Sequence, residues 1–220
     1  MLPLLLQGCL DLITVPCCAI CSDPLSEGQS RQLPCERCQQ RLILPEGGLR
    51  GFTPLPWLSL GAYQGALRRL LLQQRRSPSA QVIAALGRRL AALVQMGDLP
   101  PLVVSIPSWK RNGNPLPPLL CRSLGFEEMA PLVRTHPTLG QHHLGRDLRA
   151  LNQEGSFLCR PGAARPGPLL RRRPLLLVDD ILTTGATARA AAGALQAAGY
   201  RVAGLLCLAR TPQKAGRERP

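Results

Sequence analysis

One stretch near the C-terminal end constrains the fold of this chain more than any other. Four apolar residues from Leu175 to Val178 are followed by Asp179 and Asp180, two further apolar residues, and the sequence Thr-Thr-Gly-Ala-Thr over 183–187. This order predicts a buried strand that ends in two carboxylates, then a tight turn and the start of a helix. Carboxylates can hold vicinal hydroxyl groups, and the N–H groups of a helix N-terminus can hold a phosphate. The stretch therefore predicts a site for a phosphorylated sugar.

A threonine-capped turn between a strand and a helix is the ordinary structural interpretation of the same residues. Gly185 permits a positive φ and a close approach of the backbone, and the hydroxyls of Thr183, Thr184 and Thr187 add small donors. A pair of adjacent acids before such a turn is costly when both are ionised without a cation or a hydroxyl partner. The acids therefore favour a binding site over a simple cap.

The surrounding pattern predicts a β–α–β unit and hence a parallel sheet. The predicted elements are a strand over 174–180, a helix over 187–198 with Gly199 at its end, and a strand over 201–208. In open α/β sheets, ligands bind at the carboxyl ends of the strands, where the acids are expected.

Apolar spacing, glycines and prolines predict the remaining elements. We expect helices over 1–15, 63–72, 80–96 and 116–124 and a strand over 102–106. Residues 51–60 suit a linker or an edge strand, 134–157 are polar, and 160–173 form a loop rich in Pro, Gly and Arg.

Two Cys-x-x-Cys pairs, Cys18 with Cys21 and Cys35 with Cys38, lie a short loop apart. Two such pairs can complete a tetrahedral Zn²⁺ site, and four protein ligands leave no open position, so the site would be structural. Two redox pairs are the alternative, and Cys17 could compete as a ligand. Paired spacing of this kind favours a metal site in a reducing compartment over disulfides, so we expect a cytoplasmic protein.

The chain is strongly basic, with a net charge of +14 and a pI of about 10.6. Residues 1–50 hold four arginines against five acids, so the remaining residues carry about +15. This balance favours anionic partners: nucleic acid, phosphorylated metabolites or a membrane surface. No stretch has the ~20 apolar residues that a membrane-spanning helix needs.

The Asp179–Thr187 stretch resembles the signature of the type I phosphoribosyltransferases, which bind 5-phosphoribosyl 1-diphosphate (PRPP) with Mg²⁺ on a Rossmann-like parallel sheet. By matching position, the resemblance implies that Asp179 and Asp180 hold the ribose 2′- and 3′-hydroxyls. It also implies that the turn cradles the 5′-phosphate. The residues of that turn are Thr183, Thr184, Gly185, Ala186 and Thr187.

The chain as a whole resembles the ComF family of competence proteins, which join a four-cysteine module to a phosphoribosyltransferase domain. The matching segments are Tyr63–Arg68, Ser105–Arg111, and the spaced residues Gln141, Leu144, Arg149, Asn152, Gly155 and Phe157. The resemblance implies a zinc module over 1–50 and a phosphoribosyltransferase-like domain over 51–220. It further implies a role in DNA uptake, with single-stranded DNA and a helicase or membrane uptake component as partners, at the inner face of the membrane.

Two further segments are implied only by the resemblance. Ser108, Lys110 and Arg111 would form the loop that contacts the diphosphate, although the family's aromatic and Gln are replaced in Asn112–Pro115. A lid segment would contain Gln141, Arg149 and Asn152, near His136, His142 and His143, which suit a solvated loop better than proton transfer.

Three functions remain open on the sequence. The chain could be a phosphoribosyltransferase whose acceptor is selected by the zinc module or by residues 50–75. It could be a non-catalytic factor that binds single-stranded DNA and retains a vestigial PRPP site, with a basic footprint formed by Arg68, Arg69, Arg75, Arg76 and Arg171–Arg173. It could also be a zinc-stabilised docking scaffold.

Overall fold

The computed structural model describes residues 15–26, 28–108, 113–135, 156–160 and 167–212. Six helices are assigned there: α1 (Glu36–Arg41), α2 (Gly65–Arg76), α3 (Ala80–Ala91), α4 (Leu116–Ser123), α5 (Pro168–Arg172) and α6 (Ala186–Ala197). The strands are β1 (Leu49–Gly51), β2 (Trp57–Ala62), β3 (Leu102–Ser105), β4 (Glu127–Glu128), β5 (Leu132–Arg134), β6 (Phe157–Cys159), β7 (Leu175–Leu182) and β8 (Val202–Arg210).

A six-stranded sheet in the order β1-β2-β8-β7-β3-β4 forms the centre of the molecule. Only β1 runs antiparallel to its neighbour, and the other four pairings are parallel. Strands β5 and β6 form a separate antiparallel pair. The predicted α/β fold with a mostly parallel sheet is confirmed.

Helices cover both faces of this sheet, so its central strands are apolar on both sides. One apolar cluster joins the sheet to α2, α3 and α4, with Leu67, Leu86 and Leu120 fully buried. The other joins it to α6 and to the β5–β6 pair, with Leu195 and Phe157 at its centre. The long strands β7 and β8 contribute residues to both clusters, so they are packed on both faces.

The segment 51–60 differs from its prediction as a linker or edge strand. Residues Trp57–Ala62 form β2, which pairs in parallel with β8 on one side and antiparallel with β1 on the other. Pro54 and Pro56 lie before the strand, where they cost it no ladder hydrogen bonds. The prolines therefore mark the start of an internal strand.

Other predicted elements are present with shifted ends. The helix predicted over 63–72 begins at Gly65 and continues to Arg76, and the helix predicted over 80–96 ends at Ala91. A short helix occupies Pro168–Arg172, where we predicted a loop. The predicted N-terminal helix lies before the described residues.

Residues preceding β1 already belong to the sheet's apolar core, because Leu42 and Leu44 are buried in the cluster that contains α2 and α3. Arginines of α3 also bind this region: Arg88 Nε donates to Gln32 O at 2.9 Å and Arg89 Nη2 donates to Glu46 O at 2.9 Å. In the described part of the chain, no helix has the length and hydropathy needed to span a bilayer.

Candidate functional site

The two acids lie near the carboxyl end of β7, beside β8 and β3. Asp179 is in register with Cys207 of β8, and the strand continues past the acids to Leu182. We predicted that it would end at Asp180. The extension arises because Ile181 and Leu182 are still opposite the last residues of β8.

Asp180 is buried, with 2% of its surface exposed, and is held by two side chains from different elements. Arg75 of α2 donates from Nε to Oδ2 at 2.6 Å and from Nη2 to Oδ1 at 2.9 Å. Asn114, just before α4, donates from Nδ2 to Oδ2 at 2.7 Å. Burial, the largest single influence, lowers the pKa of Arg75. The hydrogen bond with Asp180 and the charges of Asp180, Tyr63 and Asp179 together outweigh burial and raise that pKa. This Arg75–Asp180–Asn114 network therefore supplies three hydrogen bonds to a carboxyl group that is buried in the protein.

Asp179 lies in a different environment, because adjacent residues of a strand point to opposite faces of the sheet. Its Oδ1 accepts the backbone N–H of Asp180 at 2.8 Å. Burial, followed by the negative charge of Asp180, raises its pKa well above the usual value near 3.8. Asp179 thus holds its proton more tightly than an ordinary aspartate. Hydroxyl groups that donate hydrogen bonds to its carboxylate would favour the ionised form.

The turn after β7 has the geometry that its sequence requires. Gly185 is the N-cap residue of α6 with φ of +77°, a conformation that residues with a Cβ rarely adopt. A Cβ built there would overlap the ring of Pro54. Thr183 and Thr184 are exposed above this buried glycine. The turn therefore presents its hydroxyls to solvent at the N-terminus of a twelve-residue helix.

Arg210, at the end of β8, supports this turn from within the protein and was not identified from the sequence. Its Nη1 donates to Leu182 O at 3.1 Å and also to Thr183 O, and its guanidinium lies 5.6 Å from the ring centre of Trp57. The backbone of Thr211 adds a bond to Leu182 O at 2.9 Å. A basic residue at the end of an apolar run gave no local signal of this role.

The structure brings together the acid pair and the threonine turn among the predicted site residues. Ser108, which follows β3, is exposed. Strand β3 pairs with β7, the strand that carries the two acids. Lys110 and Arg111 of the predicted diphosphate loop lie outside the described residues. So do the predicted lid residues Gln141, Arg149 and Asn152 and the three histidines.

An open cavity of about 490 Å³ is lined in part by Arg210 and Thr211, which bind carbonyl groups at the end of β7. Its walls include the rings of Trp57 and of Phe52, which is 85% exposed. The other lining residues are Leu49, Gly51, Thr53, Ala62, Arg210, Thr211 and Pro212. The cavity is large enough for a small aromatic ligand.

The four predicted cysteine ligands form one cluster, with all four sulfurs within 4.8 Å of one another. The Sγ atoms of Cys18 and Cys38 are 3.9 Å apart, and those of Cys21 and Cys35 are 3.7 Å apart. Thiolates bound tetrahedrally at about 2.3 Å from zinc are separated by about 3.8 Å. The cluster therefore fits a Zn²⁺ ion. Cys17 lies outside it, since its thiol is directed to Val15 O at 3.4 Å.

Groups around the cluster act on its thiols. Burial raises the pKa of Cys18, but backbone hydrogen bonds from Cys35, Cys21 and Ile20 outweigh it and lower that pKa to about 6. The N–H of Ile20 lies 3.4 Å from the Cys18 sulfur, and Arg41 Nη2 lies 3.8 Å from that of Cys38. These donors suit thiolate ligands.

The residues predicted as a basic footprint divide into two groups. Arg75 is committed to Asp180, Arg173 is paired with Glu127, and Arg68 lies 5.8 Å from the ring centre of Tyr63. The remaining members are exposed on α2 and α5: Arg69, Arg76, Arg171 and Arg172.

Comparison with curated proteins finds relatives that share most of the chain. This chain is 29% identical over 197 residues to DNA utilization protein YhgH of Salmonella typhimurium, and the match covers 81% of this chain and 78% of the relative. The Escherichia coli K12 protein of that name is 28% identical over 212 residues, covering 88% and 84%. An adenine phosphoribosyltransferase of Clavibacter michiganensis is 46% identical over 54 residues, covering 24% of this chain and 31% of that protein. No protein-family model matches the chain.

Comparison with solved structures finds phosphoribosyltransferases with low overall similarity. An adenine phosphoribosyltransferase from Leishmania tarentolae has a TM-score of 0.42 and 14% identity, covering 70% of this chain and 90% of that one. A hypoxanthine phosphoribosyltransferase from Staphylococcus aureus has a TM-score of 0.38 and 17% identity, covering 64% and 70%. At these TM-scores the likeness adds nothing to the architecture that the sheet order establishes.

We expect Gly185→Ala to destabilise the protein, because it forces a Cβ into a positive-φ position and against Pro54. The strain alone should lower the free energy of unfolding by about 1–2 kcal/mol. Gly193→Ala in α6 is the matched control, since a Cβ there meets no atom within 4 Å and alanine favours a helix. Urea denaturation measures both. Equal stability of the two variants would contradict the turn geometry.

We expect Cys38→Ser to lose bound zinc and to unfold at a lower temperature, because the cluster then has three thiols. Cys17→Ser, which changes the exposed neighbouring thiol, should retain zinc and thermal stability. Metal content by mass spectrometry and thermal unfolding with and without a chelator provide the measurement. Zinc retained by Cys38→Ser but absent from Cys17→Ser would show that the ligand set is wrong.

Proposed function

We propose that this protein binds PRPP at the carboxyl end of β7 and acts in DNA uptake or a related step of nucleic-acid handling. The observation that carries the proposal is the order of groups along one strand and turn. A carboxylate with hydroxyl-binding capacity, Asp179, precedes a positive-φ glycine, Gly185, at the N-terminus of α6. A phosphorylated sugar requires this combination of acceptor and donors.

Each part of the ligand has a counterpart in the site. The 5′-phosphate would accept hydrogen bonds from the N–H groups and hydroxyls of the turn from Thr183 to Thr187. The ribose hydroxyls would donate to Asp179, and Asp180 would fix the position of the neighbouring carboxylate. The 46% identity to an adenine phosphoribosyltransferase over 54 residues supports a site of this class.

Mg²⁺ is proposed to arrive with the ligand. Among the described residues, the cysteine cluster is the one group of three or more side chains that could hold a metal ion, and Mg²⁺ prefers oxygen ligands. Asp179 is the carboxylate of the site that the Arg75–Asp180–Asn114 network does not occupy. Bound to the diphosphate, the ion would neutralise part of its charge.

Phosphoribosyl transfer would require an acceptor that attacks C1 while diphosphate leaves. Positioning and electrostatic stabilisation would supply most of the rate enhancement. The cavity beside Arg210, whose lining includes Trp57 and Phe52, would offer a planar acceptor aromatic side chains to pack against. Diphosphate release in a screen of nucleobases distinguishes turnover from binding alone.

The proposed role in DNA uptake is supported by the relatives named DNA utilization protein, which share most of this chain. We propose a cytoplasmic protein that works at the inner face of the membrane, with single-stranded DNA and a helicase or uptake component as partners. We also propose that the cysteine module before residue 50 holds structural Zn²⁺. It would fold with the phosphoribosyltransferase-like domain, since Leu42 and Leu44 lie in the sheet's core.

We expect Asp179→Asn to abolish PRPP binding while leaving the free protein at least as stable. The pKa of Asp179 is higher in the folded protein than in the unfolded chain. The folded state therefore loses stability as the pH rises above the pKa of the unfolded chain. Asparagine removes that cost at neutral pH and keeps an oxygen for the Asp180 N–H. Titration calorimetry with PRPP and Mg²⁺, together with thermal unfolding, measures both effects.

The control for this experiment is Asp98→Asn, which removes an exposed carboxylate from the loop after α3. That variant should bind PRPP like the unchanged protein. A wild-type protein that shows no PRPP binding with Mg²⁺, or an Asp179→Asn variant that binds normally, would contradict the proposal.

A non-catalytic factor that binds single-stranded DNA is the second candidate. It is favoured by the charge of about +15 beyond residue 50 and by the exposed arginines Arg69, Arg76, Arg171 and Arg172. Aromatic residues make up 3% of the chain, which favours contact with phosphates over base stacking.

We expect the affinity for an oligothymidine strand to fall steeply with salt, because binding releases counterions. Arg171→Gln with Arg172→Gln should weaken binding and reduce the slope of log K against log salt by about 0.7 for each phosphate that these arginines neutralise. Fluorescence anisotropy across a salt titration measures this. A slope near zero in the wild-type protein would eliminate the DNA-binding candidate.

A further inference from the structure

Arg75 enters the candidate site from α2, more than a hundred residues before the acids in sequence. Two of its nitrogens, Nε and Nη2, are bound to the two oxygens of Asp180. A guanidinium has a third nitrogen, Nη1, with two N–H groups. The two hydrogen bonds that Arg75 donates to Asp180 do not involve Nη1.

Burial differs sharply between the two sides of this ion pair. The side chain of Arg75 is 38% exposed, whereas that of Asp180 is 2% exposed. The bonds from Nε and Nη2 to Asp180 occupy one edge of the guanidinium, and Nη1 lies on the opposite edge. Asp180 fixes the plane of the guanidinium, so these N–H groups have a set direction.

The neighbours of Arg75 place it on the side of the site where a diphosphate would lie. Asn114 donates to the same oxygen of Asp180 that Arg75 Nε contacts, so the two donors are close neighbours. Asn114 follows the segment after β3, where Ser108, Lys110 and Arg111 were predicted to contact the diphosphate. Arg75 therefore lies close to Asn114, a described residue that follows Lys110 and Arg111 in sequence.

We propose that Arg75 is a further ligand-binding residue of the site, which holds the diphosphate group of the ligand through Nη1. This inference rests on the proposed function, in which PRPP is the ligand. Asp180 then acts as a positioning residue: it orients Arg75, and the direct contact with the ribose hydroxyls falls to Asp179. A planar fork that binds a carboxylate on one edge can bind a phosphate oxygen on the other.

This division of roles departs from the expectation that both acids hold the sugar. Asp180 Oδ2 already accepts two hydrogen bonds and Oδ1 accepts one. A ribose hydroxyl would have to share the remaining capacity of a carboxylate that is 2% exposed. Asp179, by contrast, accepts a hydrogen bond from a backbone N–H and is not held by the Arg75 guanidinium.

The test compares three probes: PRPP, ribose 5-phosphate and inorganic pyrophosphate, each titrated by calorimetry in the presence of Mg²⁺. Arg75→Gln and Arg75→Lys should weaken PRPP and pyrophosphate binding by about tenfold to a hundredfold, the effect of removing a charged hydrogen bond. Their affinity for ribose 5-phosphate should be unchanged. Lysine keeps a cation beside Asp180, but its single ammonium group cannot bind both Asp180 oxygens and the ligand.

Arg122→Gln is the matched control, because it removes the same charge from an exposed position on α4. It should bind all three probes like the wild-type protein. If Arg75→Gln fails to fold, Arg75→Lys decides the question, since it retains a charge for Asp180.

Two results would overturn the inference while leaving the proposed function intact. One is an Arg75→Lys variant that binds PRPP as tightly as the wild-type protein. The other is an equal loss of PRPP and ribose 5-phosphate binding, which would mean that Arg75 only positions Asp180. A wild-type protein that binds neither PRPP nor pyrophosphate would instead overturn the proposed function, and the inference with it.

Discussion

The contact between Asp180 and Arg75 is the interaction on which the candidate site depends. It joins α2 to the carboxyl end of β7, and Asn114 adds the segment before α4 to the same carboxylate. A buried carboxylate without such partners would be strongly destabilising, so these elements must come together when the sheet forms. Asp180 also acts on the neighbouring Asp179, whose pKa is raised first by burial and then by the charge of Asp180.

The turn after β7 depends on a second set of contacts, made by β8. Arg210 and the backbone of Thr211 bind carbonyl groups at the end of β7, and Pro54 packs against Gly185 from the segment before β2. The turn is thus supported by residues from three parts of the sequence. Such support matters for anion binding, because backbone N–H groups bind a phosphate well only when their directions are fixed beforehand.

Much of this arrangement could be predicted from the sequence, because it depends on residues that are close together in the chain. The apolar run before Asp179, the glycine at 185 and the periodic helix that follows predicted β7, the turn and α6. The two Cys-x-x-Cys pairs predicted a cluster whose sulfurs lie at distances that suit zinc. In each case the residues that form the feature are close in sequence, so spacing alone indicated their geometry.

The parts that the sequence did not indicate depend on contacts between distant residues. Arg75 was assigned to a basic footprint, since nothing near it in sequence shows that it reaches Asp180. Arg210 and Pro54 gave no signal for the same reason. The segment that forms β2 is predicted as a linker or edge strand because Pro54 and Pro56 precede it. Its pairing with β8 depends on the assembly of the whole sheet, which the local sequence does not show.

A crystal structure of the protein with PRPP and Mg²⁺ tests the central claim most directly. The account predicts the 5′-phosphate above the turn at Thr183–Thr187, the ribose hydroxyls on Asp179, and the diphosphate beside Arg75 with the Asp180 pair intact. A ligand bound elsewhere, or ribose hydroxyls on Asp180 with Arg75 turned away, would contradict it.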